Sequence, residues 1–146
     1  MTLEYGPEYT YLVRKIRESE VGRNIVNTLD DSNNIYTIET PLFGCEAKFD
    51  PSVGGGTLTV SPNVSGWINT IDGGFALASP DRVLLHELGH AYNYDQKTGP
   101  MFDKSKDFLD RPPFEEQHVI DNYGNKYGDG IERKNHDPAC PTLMCR

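Results

Sequence analysis

The five residues His86-Glu87-Leu88-Gly89-His90 constrain this chain more than any other stretch, because they sit inside a segment that carries the marks of a helix. Ser79-Pro80-Asp81 supplies a hydroxyl cap, a proline whose missing N–H is not needed in a first turn, and an acid facing the positive end of the dipole. Leu84, Leu88 and Ala91 then recur at helical spacing, so the helix is expected to run to about Asn93 with one apolar face buried. On its polar side His86 and His90 stand one turn apart, and both imidazoles aim at one point. Such a helix needs a second layer to cover its back.

The sequence before it supplies that layer. Short β-rich pieces at 35–39, 43–49, 57–60, 67–70 and 75–78, separated by Pro and Gly clusters, predict a small, twisted, mostly antiparallel sheet. Gly54 to Gly56 lacks the Lys-Ser/Thr and helix that a phosphate loop requires and reads as a hairpin turn. Asn63-Val64-Ser65 is a glycosylation sequon in form only. Ahead of the sheet, Tyr9, Leu12, Val13 and Ile16 define a helix over 7–18. Ser19 caps a second that carries Val21, Ile25, Val26 and Leu29. Pro112-Pro113 opens a further helix over 114–123. The expected class is α+β, and 146 residues make one domain, 1–146.

Charge narrows the partners. Fourteen Lys and Arg against twenty-two Asp and Glu leave a net charge of −8, the wrong sign for neutralising phosphates, so no nucleic-acid partner is expected. The basic run Arg14-Lys15-Ile16-Arg17 reads as a solvated helix face. No stretch approaches the roughly 20 apolar residues of a membrane span, and the N-terminus lacks the charged-then-apolar pattern of a secretory signal. Cys45, Cys140 and Cys145 are too few for a disulfide framework and are expected as free thiols, with a Cys140–Cys145 bridge or a second metal site with His136 as minor alternatives.

His86 to His90 matches H-E-x-x-H, in which two imidazoles one turn apart share a Zn²⁺ ion and the intervening glutamate addresses a water. Glu87 is then the general base and proton carrier. A third protein ligand is required, with the fourth position left open. Glu115, Glu116, His118 and Asp121 are available on the next helix. Glu116 ranks first because Val119, Ile120 and Tyr123 follow it at inward-facing spacing, which puts Glu115 nearer solvent. His118 and His136 are lesser options. Asp121 is a candidate for orienting a ligand histidine through its outer N–H.

The stretch 82–95, together with Phe114-Glu115-Glu116, Asp121-Asn122 and Arg133-Lys134-Asn135-His136, resembles the bacterial effector zinc endopeptidases of the NleD/HopH type. It is also distantly similar to clostridial neurotoxin light chains, in which the second glutamate of an F-E-E segment is the third ligand. The resemblance implies a minimal gluzincin (zincin) fold and a metal set of His86, His90 and Glu116. It implies Arg133 or His136 as the oxyanion donor, with Tyr123 and Tyr127 behind them. It further implies a zinc metalloendopeptidase exported by a bacterium and delivered into a target cell to act in its cytosol. A monomer is expected, with a protein or peptide substrate lying extended along the sheet edge beside the strand at 75–78. The alternatives are a toxin amidase acting on cell-wall peptides and a zinc-stabilised interaction module without turnover.

Overall fold

The computed structural model describes residues 2–136 and 143–145. Strand β1 (Leu3–Glu4) leads through a single 3₁₀ turn into α1 (Thr10–Arg17) and α2 (Glu20–Asp30). Pro7 opens that turn, closed by Tyr9 N–H on the Gly6 carbonyl at 3.1 Å, so the α-helix proper starts three residues later than the apolar spacing predicts. Ser19 caps α2 as its sequence requires, its Oγ accepting from Gly22 N–H at 2.9 Å.

The strands β2 (Ile35–Glu39), β3 (Ala47–Ser52), β4 (Gly55–Val60), β5 (Ser65–Asn69) and β6 (Phe75–Ala78) follow, then α3 (Pro80–Gln96), α4 (Arg111–Asn122) and β7 (Leu143–Met144). They form two sheets where the sequence suggests one. The first has the order β1-β2-β4-β3, and its β1–β2 and β2–β4 pairs are parallel; the other three strand pairs are antiparallel, so the pairing is mostly antiparallel as expected and these two pairs are the departure. After β2 the chain crosses to the far edge, runs along β3, and turns at Val53-Gly54 to insert β4 between them; that route makes β4 parallel to β2 and antiparallel to β3. Gly54 takes φ 82°, and the Cβ of any other residue at Gly55 would strike the Ile35 carbonyl oxygen on β2. The second sheet, β6-β5-β7, is antiparallel.

Strand β3 begins four residues later than its composition suggests, because Gly44 at φ 73° bends the chain and leaves Leu42 and Phe43 in solvent. One apolar cluster gathers α1, α2, β1, β2 and β4 against Leu84, Leu85, Leu88 and Ala91 of α3, all fully buried. Each buried leucine contributes roughly 1.5–3 kcal/mol. Two expectations about the start and flanks of α3 need correction. Ser79 makes no side-chain cap, and Asp81 is instead buried and accepts the Tyr127 hydroxyl at 2.7 Å. Cys45 and Cys145 are joined in a disulfide across a sequence separation of 100, so neither is a free thiol and Cys145 does not pair with Cys140, which lies outside the described residues. Among the described residues no helix is long and apolar enough to cross a membrane.

Candidate metal centre

Helices α3 and α4 carry the site, and a missing side chain sets their spacing. A Cβ on Gly89 would lie 2.8 Å from Tyr123 Cδ2 and 2.9 Å from Val119 Cγ1, so only glycine admits this approach without displacement. The close contact brings Glu115 and Glu116, in the second turn of α4, over the two histidines. Glu116 Oε2 lies 2.9 Å from His86 Nε2, Glu116 Oε1 lies 3.0 Å from His90 Nε2, and the two Nε2 atoms are 3.2 Å apart. The ligand atoms of these three residues fall within 4.8 Å of one another.

Glu115 has a different task. Its Oε2 sits 2.8 Å from His90 Nδ1, and its carboxylate accepts the Asn93 amide at 3.2 Å on each oxygen. The Tyr123 hydroxyl in turn donates to Asn93 Oδ1 at 2.5 Å, which fixes the amide's orientation. Glu115 is therefore buried and more enclosed than Glu116, the reverse of the expected order. It also holds the outer nitrogen of a histidine, the part assigned in sequence to Asp121. Asp121 lies exposed on the far side of α4 and takes the Gln117 amide at 2.9 Å. His118 Nδ1 lies 3.1 Å from the Asn93 amide and outside the three-residue group.

This arrangement calls for positive charge. With His90 Nδ1–H donating to Glu115, the neutral ring presents a lone pair at Nε2 toward the Glu116 carboxylate and His86, acceptor facing acceptor. Burial opposes a charge on His90, yet hydrogen bonds to Glu115 and Glu116 outweigh it and lift its pKa to about 10. Burial drives His86 down to about 4, and His90 beside it adds to the fall. Burial also works against ionised Glu116, but both imidazoles hold it well below the usual carboxylate range. Two imidazoles and a carboxylate are the donor set of an open divalent-cation site, and a cation between them would resolve the facing acceptors. The outer bond to Glu115 would then select the His90 tautomer whose Nε2 is the ligand.

These groups open on a cleft of about 830 Å³. Glu87 lines it at 7 % exposure, and burial raises its pKa to about 8. Arg133 and His136 line it as well, His136 with its ring 6.4 Å from that of His86 and inclined by 28°. Arg133 is positioned through its backbone, whose N–H donates to Asn125 Oδ1 at 2.7 Å and whose carbonyl accepts Asn125 Nδ2 at 2.9 Å. Arg82, one turn before His86, anchors that loop. Its guanidinium binds Asp129 Oδ1 at 2.8 Å, the Ile131 carbonyl at 2.7 Å and Asn125 Oδ1 at 3.1 Å. Tyr127 and Tyr123 are engaged with Asp81 and Asn93.

Sequence reasoning missed Arg82, Asn93 and the part played by Glu115. A signal existed for the first two, which stand four residues before His86 and three after His90 on the same helix. Comparison with protein-family models, curated proteins and solved structures finds no match. The geometry of the chain's own residues therefore carries the functional reading.

Proposed function

We propose that this chain is a zinc-dependent endopeptidase with a minimal gluzincin architecture, exported by a bacterium and acting on a protein of a target cell. The observation that carries the proposal is the convergence of His86, His90 and Glu116 beside buried Glu87 at the head of an open cleft. A zinc ion held by those three residues supplies Lewis acidity toward a water and a carbonyl oxygen. Zinc fits the donor set of two imidazoles and one carboxylate better than a hard, oxygen-seeking cation does.

Glu87 takes a proton from the attacking water and delivers it to the departing amine. A carboxyl whose pKa stands near working pH performs both transfers, and burial moves Glu87 in that direction. Arg133 and His136 line the cleft from the segment that follows α4, where the Lys134 carbonyl accepts the Gln117 amide at 3.1 Å, and are the candidate donors to the developing oxyanion. Such a donor is commonly worth about 3 kcal/mol of barrier. The substrate lies extended, and strand β3 is the edge it follows. This strand ends the four-stranded sheet, and Ala47, Lys48 and Phe49 line the cleft. At 75–78, by contrast, β6 contributes Ala78 alone to the lining. The Cys45–Cys145 disulfide supports export, since such bonds persist in oxidising surroundings.

Elemental analysis of gently purified protein is expected to give one zinc per chain. Glu87→Gln is expected to keep that zinc while losing about 10²- to 10⁴-fold in peptide cleavage. Full cleavage by Glu87→Gln, or a parent protein that takes up no divalent metal, overturns the proposal.

A further inference from the structure

The segment joining α3 to α4 has an organisation that holding a metal does not require. Gly99, at φ 87°, turns the chain directly beside the His90 partner: a Cβ there would lie 3.2 Å from Glu115 Oε1 and 3.1 Å from Asn93 Nδ2. From that point the chain runs along the cleft, and Met101, Phe102 and Phe108 join its lining. Arg111 fastens the segment with a fork of bonds. Nη1 donates to the Met101 carbonyl at 3.0 Å, while Nε and Nη2 donate to the Lys106 carbonyl at 3.2 and 3.1 Å. The same guanidinium lies 5.5 Å from the Phe108 ring centre. Phe102 meets Tyr94 with ring centres 6.3 Å apart, and Tyr94 meets Phe49 of β3 at 5.8 Å, so the aromatic surface continues to the edge strand.

Cost and placement point the same way. Phe108 is 65 % exposed and Phe102 37 %, although the segment that carries them is tied at both ends. Two phenyl rings held in water beside the cleft are apolar surface awaiting a partner. Lys48, the cation that β3 adds to the lining, is engaged with Asp50 at 3.8 Å. A charged substrate side chain against these rings would lose water and gain no counter-ion from them, whereas a large apolar one would gain burial on both sides.

We infer that Met101, Phe102 and Phe108, braced by Arg111 and continuous with Phe49, form a subsite for one large apolar side chain of the substrate next to the bond that is cut. The inference deepens the endopeptidase reading and rests on it. It makes the substrate class a protein segment with Leu, Phe or a residue of similar size at that position.

Binding separates the subsite from the hydrolysis. Short labelled peptides identical except at one central position, occupied by Gly, Asp, Lys, Leu or Phe, are titrated onto the zinc-loaded Glu87→Gln chain. Their cleavage by the parent protein is mapped in parallel. Leu and Phe peptides are expected to bind at least about 10-fold tighter than Gly, Asp or Lys peptides, the range an apolar pocket yields. Phe108→Ala, at an exposed position that leaves folding intact, is expected to shrink that ratio to about threefold or less, and Phe102→Ala adds a second reading of the same wall. Asp or Lys peptides binding as tightly as Leu, or a ratio unmoved in both variants, overturns the subsite. Selective binding without cleavage by the parent protein upholds the subsite and removes the hydrolase.

Discussion

Among single residues, the two neighbouring glutamates divide the work, and removing them should have unequal effects. Glu116→Ala deletes one of three donors and is expected to leave no stoichiometric zinc after dialysis. Glu115→Ala keeps all three but frees the outer nitrogen of His90, and a loss of about 10- to 100-fold in zinc affinity is expected. Competition with a chromophoric chelator reads both, and equal losses would contradict the assignment. The metal-free chain also has a defined pH dependence. His90 is raised from 6.5 to about 10 and Glu87 from 4.5 to about 8, so the folded chain binds protons there that the unfolded chain has already released. Their contributions are lost as pH rises through those windows. His86, lowered from 6.5 to about 4, acts in the opposite sense and only below 6.5. Above 6.5 nothing from His86 offsets the other two, and the Tm of chelator-treated protein is expected to fall steadily from pH 7 to pH 9.5. Zinc competes with the proton on its ligand His90, so zinc-loaded protein should show a smaller fall and bind the ion more tightly as pH rises. A flat profile without metal would contradict the cluster's electrostatics.

In terms of elements, α3 was legible in sequence and its neighbour's orientation was partly so. Pro80, the apolar back and the H-E-x-x-H spacing located α3 because each acts within one or two turns. The choice of Glu116 followed from the period of α4. The exchange of burial between Glu115 and Glu116 did not, because it depends on Asn93 and Tyr123 arriving from elsewhere. Gly89 shows the same limit. Its identity is unremarkable within a helix, yet it sets how near α4 comes. Gly89→Ala places a methyl where Tyr123 Cδ2 and Val119 Cγ1 already stand, so α4 must move, and Glu116 moves with it. The intrinsic gain of alanine over glycine in a helix, about 1 kcal/mol, is expected to be outweighed by overpacking of about 1–3 kcal/mol. Calorimetry should show a lower Tm and a zinc titration a weaker affinity in the same variant. A stabilised variant with unchanged affinity would mean that glycine is not what sets the spacing.

For the whole molecule, the strand pieces were visible but their partners were not. Alternation reports which face of a strand is buried, and nothing in it reports whether β4 lies beside β2 in a parallel or antiparallel sense. Cysteine count misled for a related reason: the pairing of Cys45 with Cys145 depends on tertiary proximity across most of the chain. That bond joins the lead-in to β3, the edge of one sheet, to the end of β7 in the other, and Leu143 of β7 lines the cleft between them. Closing so long a loop restricts the unfolded chain strongly, and the bond is expected to contribute about 2–4 kcal/mol. Reduction or Cys45→Ser should then lower Tm by about 4–16 °C. Neither cysteine belongs to a strand of the first sheet, to α3 or to α4, so the reduced chain is expected still to fold and still to bind zinc. The distinguishing measurement is the same titration in reductant, with a phosphine in place of a metal-binding thiol. Unchanged zinc affinity at a lowered Tm is the expected result; joint loss of both would mean that α3 depends on the covalent tie between the sheets rather than on its own buried leucines.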